Sequence, residues 1–376
     1  VMAITRRQFC LKLGSGVAAS VFVPRLIKSS WTKPATDSKP YLREARYYTP
    51  LADRKVRCLL CPRTCLVADG KRGYCRVREN QKGSYKTLVY GRLCSINNDP
   101  IEKKPLFHFL PGTMALSVAT AGCNLKCKFC QNWNISQVAP EDIPFEYYSP
   151  EKLVNLAQQI QSPTIAFTYT EPTISTEYIL DTAKLARSKG IHSVMISNGY
   201  INSEPLSDLC QVLSAIKIDF KAFSDDFYRN VTDGTLQPVL DTMIQIKKNN
   251  VWLEIVNLVI PTQNDAPAQF RQMSQWILQN LGSDIPVHFT RFHPLYLMEN
   301  LPPTPLRTLE SAYEIARECG LRFVYVGNVP GHAAENTYCP HCNRKIIERI
   351  GYQIRTFAIK NGKCQYCQTN IPGFWS

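Results

Sequence analysis

Between positions 114 and 326 the spacing of apolar residues changes in a regular way. Short runs rich in branched and aromatic residues, bounded by turn residues, alternate with longer stretches in which apolar residues recur every three to four positions. The short runs predict strands and the longer ones amphipathic helices. Strands are predicted over 114–121, 164–170, 192–197, 215–220, 251–260, 287–292 and 322–326. Helices are predicted between them: one opening at Ser149-Pro150, then 176–189, 205–213, one within 237–248, one around 268–280, and 306–319. Local chemistry sets two boundaries. Ser149 stands where an N-cap precedes a first-turn proline, and Gly190 stops the helix before it.

A β-then-α unit repeated about six times implies an α/β protein with a parallel sheet covered by helices. Right-handed crossovers leave few topologies. A doubly wound open sheet is one. Polar residues recur where the strands end, which favours a full or partial (β/α) barrel, whose functional groups gather at the carboxyl ends of the strands. The pattern lapses on both sides. Residues 29–50 are polar and proline-bearing, and 91–112 is charged, aromatic and broken by proline, so neither predicts a regular element. The expected organisation is a leader over 1–30, an amino-terminal region over 31–112, the α/β core over 113–330 and a carboxyl-terminal module over 331–376.

Cysteine changes this picture most. The chain has 15, an odd number gathered in close groups, which argues for metal rather than a disulfide framework. Cys58, Cys61, Cys65 and Cys75 surround Gly70 and Gly73 and predict a compact metal knuckle. Four thiolates suit zinc or an iron–sulfur cluster, and the donor set does not choose. Cys339, Cys342, Cys364 and Cys367 form two CxxC pairs about twenty residues apart, a zinc-ribbon signal. A rubredoxin-like iron, an auxiliary cluster and disulfides are the alternatives there. Cys210 and Cys319 fall in helical patterns and are expected in the core. Cys94 stands alone upstream of the cluster loop and is assigned to structure.

The third group lies after the first core strand. Cys123, Cys127 and Cys130 occupy eight residues, with Phe129 before the last. Three thiolates on one loop can each hold an iron of a four-iron cube and leave the fourth iron without a protein ligand. That differs from a closed structural zinc site and from a four-cysteine electron-transfer cluster.

Lys and Arg outnumber Asp and Glu by 44 to 30, a formal charge of +14. This suits an acidic partner and leaves a nucleic-acid partner open. No nucleic-acid motif accompanies it and the basic residues are scattered, so a solvated basic surface is the simpler reading.

Cys-x3-Cys-x-aromatic-Cys resembles the signature of the radical S-adenosylmethionine (SAM) enzymes. The resemblance implies a partial (β/α)6 barrel. It also implies a [4Fe-4S] cluster on Cys123, Cys127 and Cys130 that binds SAM and cleaves it reductively to a 5'-deoxyadenosyl radical, with Phe129 near the adenine. Thr168-Tyr169-Thr170-Glu171-Pro172 stands where the family has a Gly-Gly-Glu-Pro-like segment against the SAM amino group. The match rests on Glu171-Pro172, because Tyr-Thr replaces Gly-Gly. By position, Ser197 and Asn198 are assigned to the ribose or the SAM carboxylate. Lys217, Asp219 and Lys221 share one strand face, and Asp219 and Lys221 are assigned to the SAM or substrate environment. Asn264-Asp265 stands at the family's adenine side or caps the next helix. Arg291 and His293 are candidates for an anionic substrate group, and His288 for the core. Taken together, the knuckle, Asp99-Pro-Ile-Glu102-Lys103-Lys104-Pro-Leu-Phe-His108-Phe, the cluster loop and the final four cysteines resemble the AmmeMemoRadiSam-system radical SAM proteins, related to pyruvate formate-lyase activating enzymes. That implies a flavodoxin- or ferredoxin-like reductant, a protein substrate, and AMMECR-like and Memo-like partners. It also raises the reading in which Glu102, Lys103 or His108 faces substrate over that of a surface loop with local salt bridges.

Thr5-Arg6-Arg7-Gln8-Phe9-Cys10-Leu11-Lys12 precedes an apolar run over 13–23 and resembles a twin-arginine (Tat) export signal. The run is too short for a permanent span, and no Ala-x-Ala cleavage site follows. The leader points to the periplasm or membrane association and SAM chemistry to the cytoplasm. Three functions stay open: a radical SAM enzyme acting on a protein or peptide, one modifying a nucleic acid or small molecule, and a non-catalytic iron–sulfur or zinc protein for binding or electron transfer.

Overall fold

The alternation is present. The computed structural model describes residues 39–375, so the leader lies outside the described residues. Nine strands form one sheet: β1 (Arg92–Pro100), β2 (Met114–Thr120), β3 (Glu146–Tyr147), β4 (Thr164–Phe167), β5 (His192–Ser197), β6 (Ala215–Asp219), β7 (Trp252–Val259), β8 (Val287–Arg291) and β9 (Val324–Gly327). β2 and β4 to β9 are parallel and lie side by side in chain order. The crossovers carry α1 (Pro150–Gln159), α2 (Thr176–Ser188), α3 (Ser203–Cys210), α4 (Gln237–Lys248), α5 (Pro267–Leu281) and α6 (Leu306–Glu318).

A strand order that never reverses, with right-handed crossovers, puts every helix on one face of the sheet. A doubly wound sheet requires a reversal, so that alternative is excluded. The sheet is open, with β9 and β3 at its edges. Its outer face (Leu116, Val118, Ile165, Ile216 and Ile255 among others) joins the helices in the largest apolar cluster. The capping signals act as expected. The Ser149 Oγ accepts from the Lys152 N–H at 3.2 Å, and Gly190, at φ +71°, ends α2.

Residues 91–112 depart from expectation. Arg92–Pro100 is a nine-residue strand, antiparallel to β2, with a register shift between Leu93 and Ser95. That bulge and the polar Ser95, Asn97 and Asp99 hide the alternation by which a strand is recognised. The chain then turns under the sheet. Ile101, Leu106 and Phe109 are fully buried against Ala115, Ala166, Val194 and Ala215 at the strand starts. Phe374 seals this floor by stacking on Phe109 at 5.2 Å, and its N–H donates to the His108 carbonyl. Past Pro100 the segment is therefore not a surface loop, while its strand pairs Leu93 with Thr120, just before the cluster loop. His108 is buried between the Tyr325 hydroxyl and the Pro372 carbonyl, and Glu102 accepts from the Gly112 N–H.

Two small layers make up the rest of the described residues. Amino-terminal strands form two three-stranded antiparallel sheets, and carboxyl-terminal strands form a three-stranded sheet and a hairpin. No helix of the described residues is long and apolar enough to cross a membrane.

Candidate active site and metal centres

The loop after β2 begins at Gly122, whose φ is +94°. A Cβ there would lie 2.6 Å from Val77 Cγ1 and 2.7 Å from the Cys75 carbonyl oxygen. Only glycine combines that backbone with that closeness. The Lys126 and Lys128 N–H groups donate to the Thr232 and Val231 carbonyls, and the Gly122 N–H to the Ile135 carbonyl. Side chains add to this hold: Asn124 Nδ2 donates to the Tyr200 carbonyl at 2.7 Å and Gln137 Nε2 to the Leu125 carbonyl at 3.1 Å.

Cys123 Sγ accepts from the Leu125 N–H at 3.4 Å and lies 3.9 Å from Asn198 Nδ2, and Cys130 Sγ is 3.2 Å from Ser136 Oγ. The three sulfurs do not all lie within 4.8 Å of one another, wider than thiolates on a single ion. Burial pushes the Cys127 thiol up to about 11, while the Lys221 charge opposes it. Burial and the charge of Glu171 also raise Cys123. Loading such thiols with metal therefore releases protons.

The strand ends bring the predicted residues together. Glu171 is buried, and its two oxygens accept from Thr173 N–H, Ser197 Oγ–H and Asn198 N–H at 2.8–3.0 Å. Burial nonetheless raises its pKa. Its carboxylate fixes the end of β5, and Asn198 passes that order on by donating to Asn124 Oδ1 at 2.9 Å. Thr170 Oγ1 donates to the Thr120 carbonyl at 2.8 Å. Phe129 lies 5.4 Å from Lys221 Nζ, measured to its ring centre. Asp219 pairs with Lys217 and, at 3.7 Å, with Lys221. Burial would raise this carboxyl, but the two lysines hold it below its usual range.

Other expectations resolve differently. Asn264 does not cap α5: its Oδ1 accepts from the Ile260 N–H and its Nδ2 donates to the Lys221 carbonyl, both at 2.6 Å. Arg291 Nε donates to the Thr304 carbonyl at 2.9 Å. His288 is in the core, as expected, 2.9 Å from Glu254.

Sequence reasoning missed a polar cluster inside the sheet. Asp99 accepts from Lys103 Nζ at 2.8 Å, from Lys104 Nζ at 2.5 Å and from the Tyr169 hydroxyl. It also missed Glu254, which is fully buried and accepts from the Phe107 and His108 N–H groups at 2.9 and 2.8 Å. The available signal was one acidic residue inside the apolar strand Trp252-Leu-Glu-Ile-Val.

The two four-cysteine groups differ. Cys339, Cys342, Cys364 and Cys367 place all four sulfurs within 4.8 Å of one another. The 339–367 and 342–364 pairs stand at 3.5 and 3.8 Å. Four thiolates about 2.3 Å from one ion span tetrahedral edges of about 3.8 Å, so this group could bind a metal. Cys58, Cys61, Cys65 and Cys75 lie in the amino-terminal layer, close enough for their charges to raise one another's pKa. Among the described residues they do not form a single-ion group.

Cys210 is buried, Cys319 is partly buried against the main core, and Cys94 Sγ lies 3.5 Å from the Ala119 carbonyl.

Three thiolates at the strand ends, a glycine cradle without room for a Cβ, and charged groups on the inner face suit an open-site iron–sulfur cluster and a zwitterionic cosubstrate. Comparison with known proteins finds relatives in sequence and likenesses in fold. An uncharacterized protein of Methanocaldococcus jannaschii is 46% identical over 332 residues, covering 88% of this chain and 99% of that protein. The pyruvate formate-lyase-activating enzyme of Clostridium pasteurianum is 22% identical over 216 residues, covering 55% of this chain and 84% of that enzyme. Among solved structures, Streptococcus suis SuiB bound to S-adenosylmethionine matches with TM-score 0.47 and 10% identity, over 64% of this chain and 56% of that one. Residues 117–273 match the family model described as the Radical SAM superfamily.

Proposed function

Because the chain belongs to the radical SAM superfamily, we propose that it abstracts a hydrogen atom from a protein or peptide, in the manner of a glycyl-radical activase. The observation that carries this is the three-cysteine loop, with Cys123 Sγ 3.9 Å from Asn198 Nδ2 and Cys127 within reach of the Lys221 and Asp219 charges. Cys123, Cys127 and Cys130 would hold a [4Fe-4S] cluster. When bound, that cluster supplies the electron for reductive cleavage of SAM to a 5'-deoxyadenosyl radical.

The chain's own residues then have separable tasks. The cluster loop, fixed through its backbone, keeps one side of the site open for SAM. Asn198 orients Cys123 from the end of β5. Glu171 acts through Ser197 and Asn198 as a positioning residue, and the unused acceptor capacity of its carboxylate is available to the SAM amino group. Thr170 holds its strand end against β2. Phe129 lies at the adenine side, next to Lys221. Asp219, flanked by two lysines, stays ionised and presents a fixed charge at the pocket. The open sheet acts as a partial (β/α)6 barrel, and its uncovered side admits a macromolecular substrate.

The relatives named as activating enzymes support a protein substrate, and a flavodoxin- or ferredoxin-like protein is the reductant to test with it. AMMECR-like and Memo-like proteins are the first partners to test, and zinc is the expected ion of the carboxyl-terminal group. Reduced, reconstituted protein would be mixed with SAM and a uniformly deuterated candidate partner. Deuterium in the 5'-deoxyadenosine is expected. Its appearance only with a nucleic acid or small molecule would overturn the protein-substrate reading.

A further inference from the structure

The knuckle at Cys58, Cys61, Cys65 and Cys75 belongs to a different chemical class from the carboxyl-terminal group. We infer that it holds a second iron–sulfur cluster and relays electrons to the loop at Cys123.

Sulfur spacing separates the two groups. The carboxyl-terminal sulfurs already form a single-ion tetrahedron. The knuckle's sulfurs are neighbours, yet they stand outside the mutual 4.8 Å limit that the other group satisfies. A cube sets each thiolate on a separate iron and so needs the wider arrangement.

One of these sulfurs also has a donor in place: the Tyr74 N–H donates to Cys65 Sγ at 3.5 Å. Such bonds orient thiolate ligands and tune the potential of an iron–sulfur site.

A third, independent observation points to a missing acceptor. The Tyr85 hydroxyl is fully buried and has no partner. A Cβ at Gly73 would lie 2.6 Å from this hydroxyl and 3.8 Å from Cys65 Sγ, so the hydroxyl lies against Gly73 on the Cys65 side of the knuckle. Arg78, also fully buried, has an unpartnered Nε. A buried donor without an acceptor costs about 1–3 kcal/mol. The sulfides and thiolates of a cluster supply acceptors to both.

The position gives the role. The Cys75 carbonyl lies against Gly122, directly before Cys123. Arg63 Nε donates to the Asn124 carbonyl at 2.5 Å, and Lys126 Nζ lies 4.4 Å from the Tyr74 ring centre. Knuckle and cluster loop therefore share a wall. A low-potential flavodoxin- or ferredoxin-class donor gives the knuckle cluster one electron. The same electron moves on to the cluster of Cys123, Cys127 and Cys130, and no atom is transferred. The relay rests on the proposed function, whereas the second cluster does not.

The full-length Cys123→Ala/Cys127→Ala/Cys130→Ala variant, reconstituted anaerobically with iron and sulfide, separates the two. It should keep about four irons per chain, against about eight in the wild type. Its reduced electron paramagnetic resonance signal should be unchanged by SAM. Adding Cys58→Ala and Cys75→Ala should remove this iron and leave the carboxyl-terminal ion. An iron-free triple variant, or zinc at the knuckle of the wild type, would overturn the second cluster. As a check that needs no triple variant, Mössbauer spectra of the wild type should resolve two clusters, and a single cluster would also overturn it. In the Cys58→Ala/Cys75→Ala variant, reduction of the remaining cluster by ferredoxin should be lost while reduction by dithionite persists. Equal reduction by ferredoxin in the variant and the wild type would overturn the relay. Two clusters without SAM cleavage would refute the proposed function and leave the second cluster standing.

Discussion

Asp99 illustrates what single residues contribute and how they stay hidden. Its carboxylate is almost fully buried, where it meets two ammonium groups and a phenol. Burial alone would raise its pKa, but hydrogen bonds from Lys103, Lys104 and Tyr169 bring it down to about 2. A carboxyl held below its unfolded value of about 3.9 contributes stability above that pH and loses it as the pH falls toward the folded value. Asp99→Asn leaves Lys104 buried without a counter-charge and should cost about 3 kcal/mol at neutral pH. The gap from wild type should narrow below about pH 4. Urea midpoints measured across that range check this, and equal midpoints at neutral pH would contradict it. In the sequence, Asp99 was visible only as part of a charged, proline-broken stretch. Its partner Tyr169 comes from another strand end, and no local pattern reports a pair 70 residues apart. The cysteines were legible because metal chemistry imposes spacing on the sequence itself.

Elements were legible where apolar spacing alone decides them. The strand 192–197 agrees with β5 to the residue, and the helix expected within 237–248 fills that range as α4. Other boundaries move by one to three residues because caps and turns, not periodicity, end an element. β1 was lost because it carries a bulge and presents polar side chains. The cluster loop is set by a backbone position, and Gly122 and Gly190 separate two causes of glycine dependence. Gly190 has φ +71° with nothing within 4 Å of an added Cβ, whereas Gly122 adds two contacts under 3 Å. Gly190→Ala should cost about 1 kcal/mol and leave iron loading intact. Gly122→Ala should cost about 2–3 kcal/mol and lower the iron bound per chain. Denaturation and iron assay of both variants check this, and equal effects would contradict the cradle at Gly122.

At the scale of the molecule, a buried ion pair ties the amino-terminal layer to α2. Arg78 Nη2 donates to both oxygens of Glu177, at the first turn of α2, at 2.6 Å. Arg78→Met strands the Glu177 carboxylate and should destabilise the fold by about 3–5 kcal/mol, read as a lower urea midpoint. An unchanged midpoint would show that the layer is held elsewhere. Neither this joint nor the floor built from 101–110 and Phe374 was legible, because each joins segments far apart in the chain. The parallel α/β core was legible because a repeated β–α unit leaves so few topologies. The account as a whole rests on the three thiolates at the carboxyl end of β2, and its most direct test is SAM cleavage. Anaerobically reconstituted protein with dithionite should convert SAM to 5'-deoxyadenosine, and Cys127→Ala should not. Turnover by Cys127→Ala equal to wild type, or none by fully iron-loaded wild type, would contradict it.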